Sequence, residues 1–348
     1  MTHLPSLPED LPDLARLAAH YGSDPMHVQG AGGNVSIKDG EVMWIKASGT
    51  QMGHALKRDI FVATDLDKMR FALSGNDPMA DQPAEFTLDL NGGLRPSIET
   101  SLHAVFAQRV VLHTHCIHTL AHAVRQDAET LLADKLAEFD WGFVPYVKPG
   151  ANLARSVTAA LGSHINVMIL GNHGLIVAGD STDEVAKLQD RVHSALAVAP
   201  ATNLASDVEC LRAMADDTDF AVAHDDTLHQ LALDSGRVAQ VTKGSLYPDH
   251  VIFCGIAVPA VQDRETVAET LTRIAATGAP PPGWLLVPGS GMLLRQDVQR
   301  PALVMMRCLA DVTTRVPSNA TLNYLSFDQN SELLNWDAEK YRQALNAN

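Results

Sequence analysis

Two histidines one residue apart, at the end of the apolar run Val110-Val111-Leu112-His113-Thr114-His115, have the types and spacing to hold a metal ion. In an extended strand side chains alternate between faces, so His113 and His115 point to the same side. Two imidazoles on one face offer two nitrogen donors to one divalent cation. The pair alone is a modest signal, because 15 histidines in 348 residues supply roughly 0.65 such pairs by chance. Its company strengthens it. His173 lies in Gly171-Asn172-His173-Gly174, a tight turn between two apolar runs. A core histidine rarely occupies such a turn, and His173 is a candidate third ligand. Three neutral imidazoles leave positions open on zinc, the arrangement of a catalytic site. Zinc can chelate vicinal oxygens and stabilise an enediolate beside a carbonyl, and Glu99 is placed to shuttle the proton as base and acid. The competing reading of Glu99 is a carboxylate favoured at a helix start by the helix dipole. His118 and His122, four apart, share a helical face, an arrangement more often packed than ligating.

These residues must be positioned by the elements around them. A helix over 9–21 carries Leu11, Leu14, Leu17 and Ala18 on one face. Gly30-Ala31-Gly32-Gly33 reads as a loop whose backbone N–H groups can approach an anion, with Asn34 and Ser36 as further donors. Val42–Lys46 reads as a strand followed by a second small-residue loop, Ala47-Ser48-Gly49-Thr50. A strand over 59–64, a short helix over 66–73 and a loop over 74–84 follow. Pro96-Ser97 suits a helix start, with Glu99 in the first turn. Helices are expected over 129–139 and 151–161, strands at 143–147, 166–170 and 175–177, and a helix opened by the capping-box spelling Ser181-Thr182-Asp183-Glu184. The second half is read as a strand at 251–253, a helix over 263–277, a strand at 284–287 and helices over 298–316 and 329–346. A shift of 117 positions lays 167–195 over 284–312, with strand on strand, turn on turn and helix on helix; His173 then falls on Ser290.

Length suggests two domains, 1–200 and 201–348, the second being a candidate degenerate duplicate of part of the first. The net charge of −15 argues against a nucleic-acid partner, so an anionic substrate must be held by local groups. The start, Met1-Thr2-His3-Leu4-Pro5, shows neither a basic segment nor an apolar core, so no signal peptide is expected. No run approaches a membrane span. Four scattered cysteines without a C-x-x-C fit a reduced, cytoplasmic chain.

Gly33-Asn34-Val35-Ser36, Ser48-Gly49-Thr50, Pro96-Ser97-Ile98-Glu99, His113-Thr114-His115-Cys116-Ile117-His118 and Asn172-His173-Gly174 stand in an order and spacing that resemble the class II aldolase/adducin family. The resemblance covers about residues 10–198. It implies a three-layer α/β/α fold with a central, mainly antiparallel sheet, and zinc at His113, His115 and His173, with manganese or cobalt as alternatives. It implies that Glu99 is the catalytic acid/base, and that Asn34, Ser48, Gly49 and Ser97 match phosphate-contacting positions. The substrate it implies is a sugar or sugar phosphate, a deoxyhexulose phosphate for example, and the protein it implies is a homo-oligomer, here of lower order than the family's four-fold assemblies. Tyr247-Pro248-Asp249-His250 and Val287-Pro288-Gly289-Ser290-Gly291-Met292 resemble the aldolase part of bifunctional rhamnulose-phosphate aldolase/alcohol dehydrogenase proteins. No G-x-G-x-x-G follows a strand, so no nicotinamide cofactor is expected.

Departures from the family pattern matter. Ile98 stands where fuculose-phosphate aldolase has a second phosphate-binding serine. No tyrosine matches the family's aldehyde-side proton donor, which leaves Tyr146 and Tyr247 as candidates on chemistry, with His250 a further candidate lining residue. The rival readings are a sugar-phosphate 4-epimerase and a non-catalytic adducin-like interaction module.

Overall fold

The computed structural model describes residues 5–336 apart from 89–92, 163 and 203. The chain divides into two compact units, one built on residues 1–123, 127–197 and 336–348 and the other on 124–126 and 198–335.

The first unit opens with α1 (Leu11–Gly22), then β1 (Asn34–Asp39), β2 (Val42–Lys46), β3 (Phe61–Asp65) and α2 (Leu66–Ser74). The short α3 (Thr100–Ala104) leads to β4 (Val110–Thr114), α4 (Ile117–Ala123), α5 (Ala128–Lys135), β5 (Trp141–Val144) and α6 (Ala151–Ala160). It closes with β6 (Val167–Leu170), β7 (Gly174–Gly179) and α7 (Thr182–Ala195). Seven strands form one sheet in the order β3-β2-β1-β4-β7-β6-β5. Neighbours run antiparallel except β5 and β6, which are parallel.

The alternation of side chains along the strands builds three layers. Val35, Ile37, Val110, Leu112, Val167, Ile169, Leu175 and Val177 pack on one face with Leu14, Leu17 and Ala18 of α1 and Val185 and Val192 of α7. The residues between them, Val111, Met168, Leu170, Ile176 and Ala178, pack on the other face with Leu102 of α3 and Leu153 and Val157 of α6. Met43 and Ile45 of β2 join Met69 and Leu73 of α2 there. The expected α/β/α architecture with a mainly antiparallel sheet is the one observed.

The second unit contains α8 (Val208–Ala215), β8 (Phe220–Val222), α9 (Asp226–Leu233), α10 (Ser235–Lys243), α11 (Pro248–Cys254), α12 (Val267–Ala275), β9 (Trp284–Val287), β10 (Gly291–Arg295), α13 (Arg300–Thr313) and α14 (Phe327–Leu334). Its sheet has the order β8-β10-β9. The β9–β10 hairpin pairs Trp284 with Leu294 and Val287 with Gly291, and β6–β7 pairs Val167 with Val177 and Leu170 with Gly174. A shift of 117 positions superposes the two registers. Asn172 and Gly289, equivalent under that shift, both have positive φ, 54° and 80°. The N–H of each is bound by the carbonyl of an alanine late in a helix, Ala123 of α4 and Ala232 of α9. A shift of 109 lays β4 on β8, and the β4–β7 pairs His113–Ile176 and Leu112–Val177 become the observed Val222–Leu293 and Ala221–Leu294. Even the parallel pair Phe143–Ile169 has its counterpart in the bridge Ala260–Leu286.

The structure corrects several expectations. Residues 251–253 are not a strand but part of α11. Pro248 supplies the fixed φ of a first helical turn, and Gly255, at φ 85°, ends the helix; three apolar residues between them are too few to display a period. Asn34–Ser36 is not loop but the start of β1. Residues 74–84 hold a 3₁₀ turn, Pro78–Asp81, and a second, Pro83–Phe86, follows. Ser181 caps α7, while the Glu184 carboxylate accepts from the N–H of Asp180, not of Ser181. The helix expected over 329–346 is found as α14 but ends at Leu334, with Asn335 as its C-cap; 337–346 lie outside the described residues.

Candidate active site

The register of the large sheet assembles the site. On β1 the apolar Val35 and Ile37 face the α1/α7 layer, so Asn34, Ser36 and Lys38 face the layer of α3. Asn34 pairs with His113 and Ser36 with Val111 on β4, which puts Asn34 and His113 side by side on that face. Across from them lies the start of α3. Glu99 is its N-cap residue, not a first-turn residue, and its carboxylate makes no capping hydrogen bond. It turns instead toward the sheet, where Asn34 Nδ2 donates to Oε2 at 2.6 Å.

The three histidines converge on that carboxylate. His113 Nε2 lies 3.6 Å from Glu99 Oε2 and His173 Nε2 lies 3.3 Å from Oε1. The ring centroids of His113, His115 and His173 are 4.9–5.4 Å apart. Their candidate ligand atoms fall within 4.8 Å of one another, and all three side chains are buried. His115 lies just beyond β4, so strand alternation alone does not aim it; the β4–β7 register does. Past the Thr114–Leu175 pair, Gly174 lies beyond β4 opposite His115, with His173 next to it. The Leu175 carbonyl lies 3.0 Å from His113 Nδ1. A carbonyl only accepts, so Nδ1 carries the proton and Nε2 keeps the lone pair that a metal needs. Three imidazole nitrogens within 4.8 Å of one another fit a divalent ion of the zinc, cobalt or manganese class with positions left for substrate.

Two glycines make the convergence possible. A Cβ on Gly174 would stand 2.4 Å from the Thr114 carbonyl and 3.2 Å from His113 Cε1. A Cβ on Gly33, at φ 64°, would stand 2.8 Å from the His113 carbonyl. The glycine run thus serves close packing against β4.

Burial alone would push the Glu99 carboxyl up, but the positive charge of His113, His173 and His115, when no metal is bound and the rings are protonated, outweighs it and holds the group down to about 2. A bound cation would act in the same direction.

The residues expected at an anion site are distributed as follows. Asn34 is engaged with Glu99. Ser97 Oγ accepts from the Glu99 N–H at 3.2 Å. Ser48 and Gly49 lie on the loop after β2, with the Ser48 N–H bound to the Arg95 carbonyl and Gly49 at φ 74°. Tyr146 follows β5, its backbone N 3.1 Å from where a Cβ on Gly171 would stand, beside the turn that carries His173. Tyr247 and His250 belong to the second unit. There the Tyr247 hydroxyl donates to Cys308 Sγ at 3.4 Å, and His250 Nδ1 accepts from the Leu246 N–H. His122 packs with Nε2 3.1 Å from the Leu196 carbonyl.

Two contributors escaped the sequence reading. His103, one helical turn after Glu99, has Nδ1 2.8 Å from Ser36 Oγ, so Ser36 orients a histidine and is no free anion donor. Burial, then the neighbouring His113, pushes His103 down to about 3. The i, i+4 spacing of Glu99 and His103 was the available signal. Lys46 is buried and its Nζ donates to the carbonyls of Ala31 (3.1 Å) and Thr50 (2.7 Å), joining the two small-residue loops. A lysine ending an otherwise apolar strand was the clue there.

Residues 9–200 match the family model described as Class II Aldolase and Adducin N-terminal domain. An uncharacterized oxidoreductase of Bacillus subtilis, YuxG, is 28% identical over 193 residues, which are 51% of this chain and 27% of that protein. The chain therefore spans well under half the length of that relative. An L-fuculose phosphate aldolase of Methanococcus maripaludis is 28% identical over 178 residues, covering 46% of this chain and 80% of its own. Among solved structures, the N-terminal class II aldolase domain of a conserved protein from Thermoplasma acidophilum aligns at TM-score 0.49 and 24% identity, over 56% of this chain and 97% of that one.

Proposed function

The chain belongs to the class II aldolase and adducin family, and from that premise we propose that it is a metal-dependent aldolase, a carbon–carbon lyase acting beside the carbonyl of a ketose. The observation that carries the reading is the carboxylate of Glu99 set 3.3–3.6 Å from two of three convergent imidazoles. A non-catalytic interaction module has no use for a buried acid aimed at a ligand set. A divalent ion at His113, His115 and His173 supplies Lewis acidity to oxygens of the substrate. The chain's own residues do the rest. In the cleavage direction Glu99 takes the proton of the hydroxyl β to the carbonyl, the bond between the α- and β-carbons breaks as the β-carbon leaves as the aldehyde, and Glu99 returns the proton to the α-carbon that keeps the electron pair. Asn34, donating to Oε2, fixes the carboxylate in place and leaves it an acceptor. His103, held by Ser36, is buried beside His113 and Glu99.

The proposed substrate is a ketose phosphate such as a deoxyhexulose phosphate. For its anionic end we propose the two loops that Lys46 holds together, 30–33 and 47–50, with the Ser48 hydroxyl. The aldolase name of the Methanococcus relative supports this class. The resemblance of the second half to bifunctional aldolase/dehydrogenase proteins supports a rhamnulose-phosphate-like sugar. A retro-aldol screen of ketose phosphates and free ketoses, with detection of released aldehyde and metal analysis of the same preparation, tests the proposal. It expects one ion bound at the triad and aldehyde from at least one ketose. A product inverted at one carbon without free aldehyde would replace the lyase by an epimerase. Absence of metal and of turnover would end it.

A further inference from the structure

A second cluster of metal-ligating side chains lies in the first unit and shares no residue with the triad. Cys116 sits between β4 and α4, His193 in the last turn of α7, and His27 in the segment after α1. Their candidate donor atoms lie within 4.8 Å of one another. Cys116 Sγ is 3.4 Å from His193 Nδ1, and the rings of His27 and His193 are 4.3 Å apart. The ring of His118 flanks His193 at 4.7 Å. Gln189 lies at the back of the cluster, its side-chain amide 3.0 Å from His27 Nδ1 and 3.2 Å from Thr114 Oγ1. An amide nitrogen only donates, so Gln189 supports an ion here with its amide turned end for end: its oxygen then accepts from His27 Nδ1–H, the outer hydrogen bond that leaves the Nε2 lone pair for a metal. Asp24 stands at the open side, its carboxylate 4.0 Å from His27 Nε2.

We propose that His27, Cys116 and His193 form a second site for a thiophilic divalent ion of the zinc or cobalt class. One sulfur and two imidazole nitrogens select such an ion over magnesium or calcium. Occupancy ties the segment before the glycine run, the end of β4 and the end of α7 to one point. Because Cys116 follows His115 directly, the ion braces the backbone that carries a ligand of the first site.

The test is cobalt titration of the full chain after chelation. The expected result is two equivalents, with a thiolate-to-cobalt charge-transfer band. Cys116→Ser should abolish the band and one equivalent, and His27→Gln should lose the same equivalent. The double variant His113→Ala/His173→Ala should lose the other equivalent and keep the band. One equivalent in the unaltered protein, or a band that survives Cys116→Ser, overturns the proposal. Far-ultraviolet circular dichroism of each variant separates lost binding from lost folding, and the titration of the unaltered protein decides the matter even if a variant fails to fold.

The matched registers of the two sheets carry a separate inference. We infer that the second unit is a degenerate copy of the site-bearing segment, from α3 to α7, with its ligand positions replaced. Under the two shifts Glu99 falls on Val208, His113 on Val222, His115 on His224 and His173 on Ser290. One of three metal ligands thus survives as His224. Installing Val222→His and Ser290→His in the His113→Ala/His173→Ala background should add one equivalent of bound cobalt relative to that background. A folded variant that gains none overturns the equivalence.

Discussion

At the scale of single residues, the proposed mechanism gives the proton transfer to Glu99 and the ion to the histidines, so their removal should separate. Glu99→Gln keeps the hydrogen-bonding shape but cannot take a proton; turnover should fall on the order of 10²–10⁴-fold with metal content retained. Loss of metal together with activity would make Glu99 chiefly a ligand. The buried histidines also set the response to acid. Burial pushes His27 down to about 4, and His103 and His250 to about 3. The unfolded chain binds a proton on each below about pH 6.5 and the folded chain does not, so their contribution is complete above that pH. It is lost as pH falls toward the folded values, at up to roughly 1.4 kcal/mol per pH unit for each group. Glu99, held down to about 2 from 4.5, acts with the same sign in a lower window. Urea midpoints should therefore drop between about pH 7 and about pH 4.5, and an unchanged midpoint would contradict the buried neutral imidazoles. The three convergent histidines were legible in sequence because His-x-His and a turn histidine are unusual company. Ser36 and His103 were not, because their partnership spans 67 positions and exists only through the β1–β4 register.

At the scale of elements, the site rests on close approach of the 171–174 turn to β4. Gly174→Ala should force the hairpin off Thr114, costing about 1–3 kcal/mol as an overpacked contact. The melting temperature and the metal content should fall together; a normal metal content would mean that the hairpin tolerates the shift. Helices with long apolar faces, such as α1 and α7, were readable from their period. The Asn34–Asp39 strand was hidden because its polar residues are buried against α3 while its glycine leader reads as loop. α11 was misread because Val251-Ile252-Phe253 is apolar without a period, and only Pro248 and Gly255 mark its ends.

At the scale of the whole molecule, the chain combines a family-matched unit over 9–200 with a second α/β unit whose small sheet repeats the register of the first. We propose that a chain carrying this second unit forms an oligomer of lower order than four, a dimer, and expect sedimentation to report it; a four-subunit species would count against that. Among the described residues, no helix is long and apolar enough to cross a membrane. The position of β4 has a last consequence. It is the middle strand of seven, with three on each side. Amide hydrogens of Val110–Thr114 should exchange with deuterium only when the entire sheet opens, whereas those of 48–50 exchange by local fraying. Anything that binds the folded form slows that global opening by the factor its binding free energy dictates. Deuterium uptake along this one strand, followed by mass spectrometry, then ranks ions and sugars as ligands before any turnover has been detected.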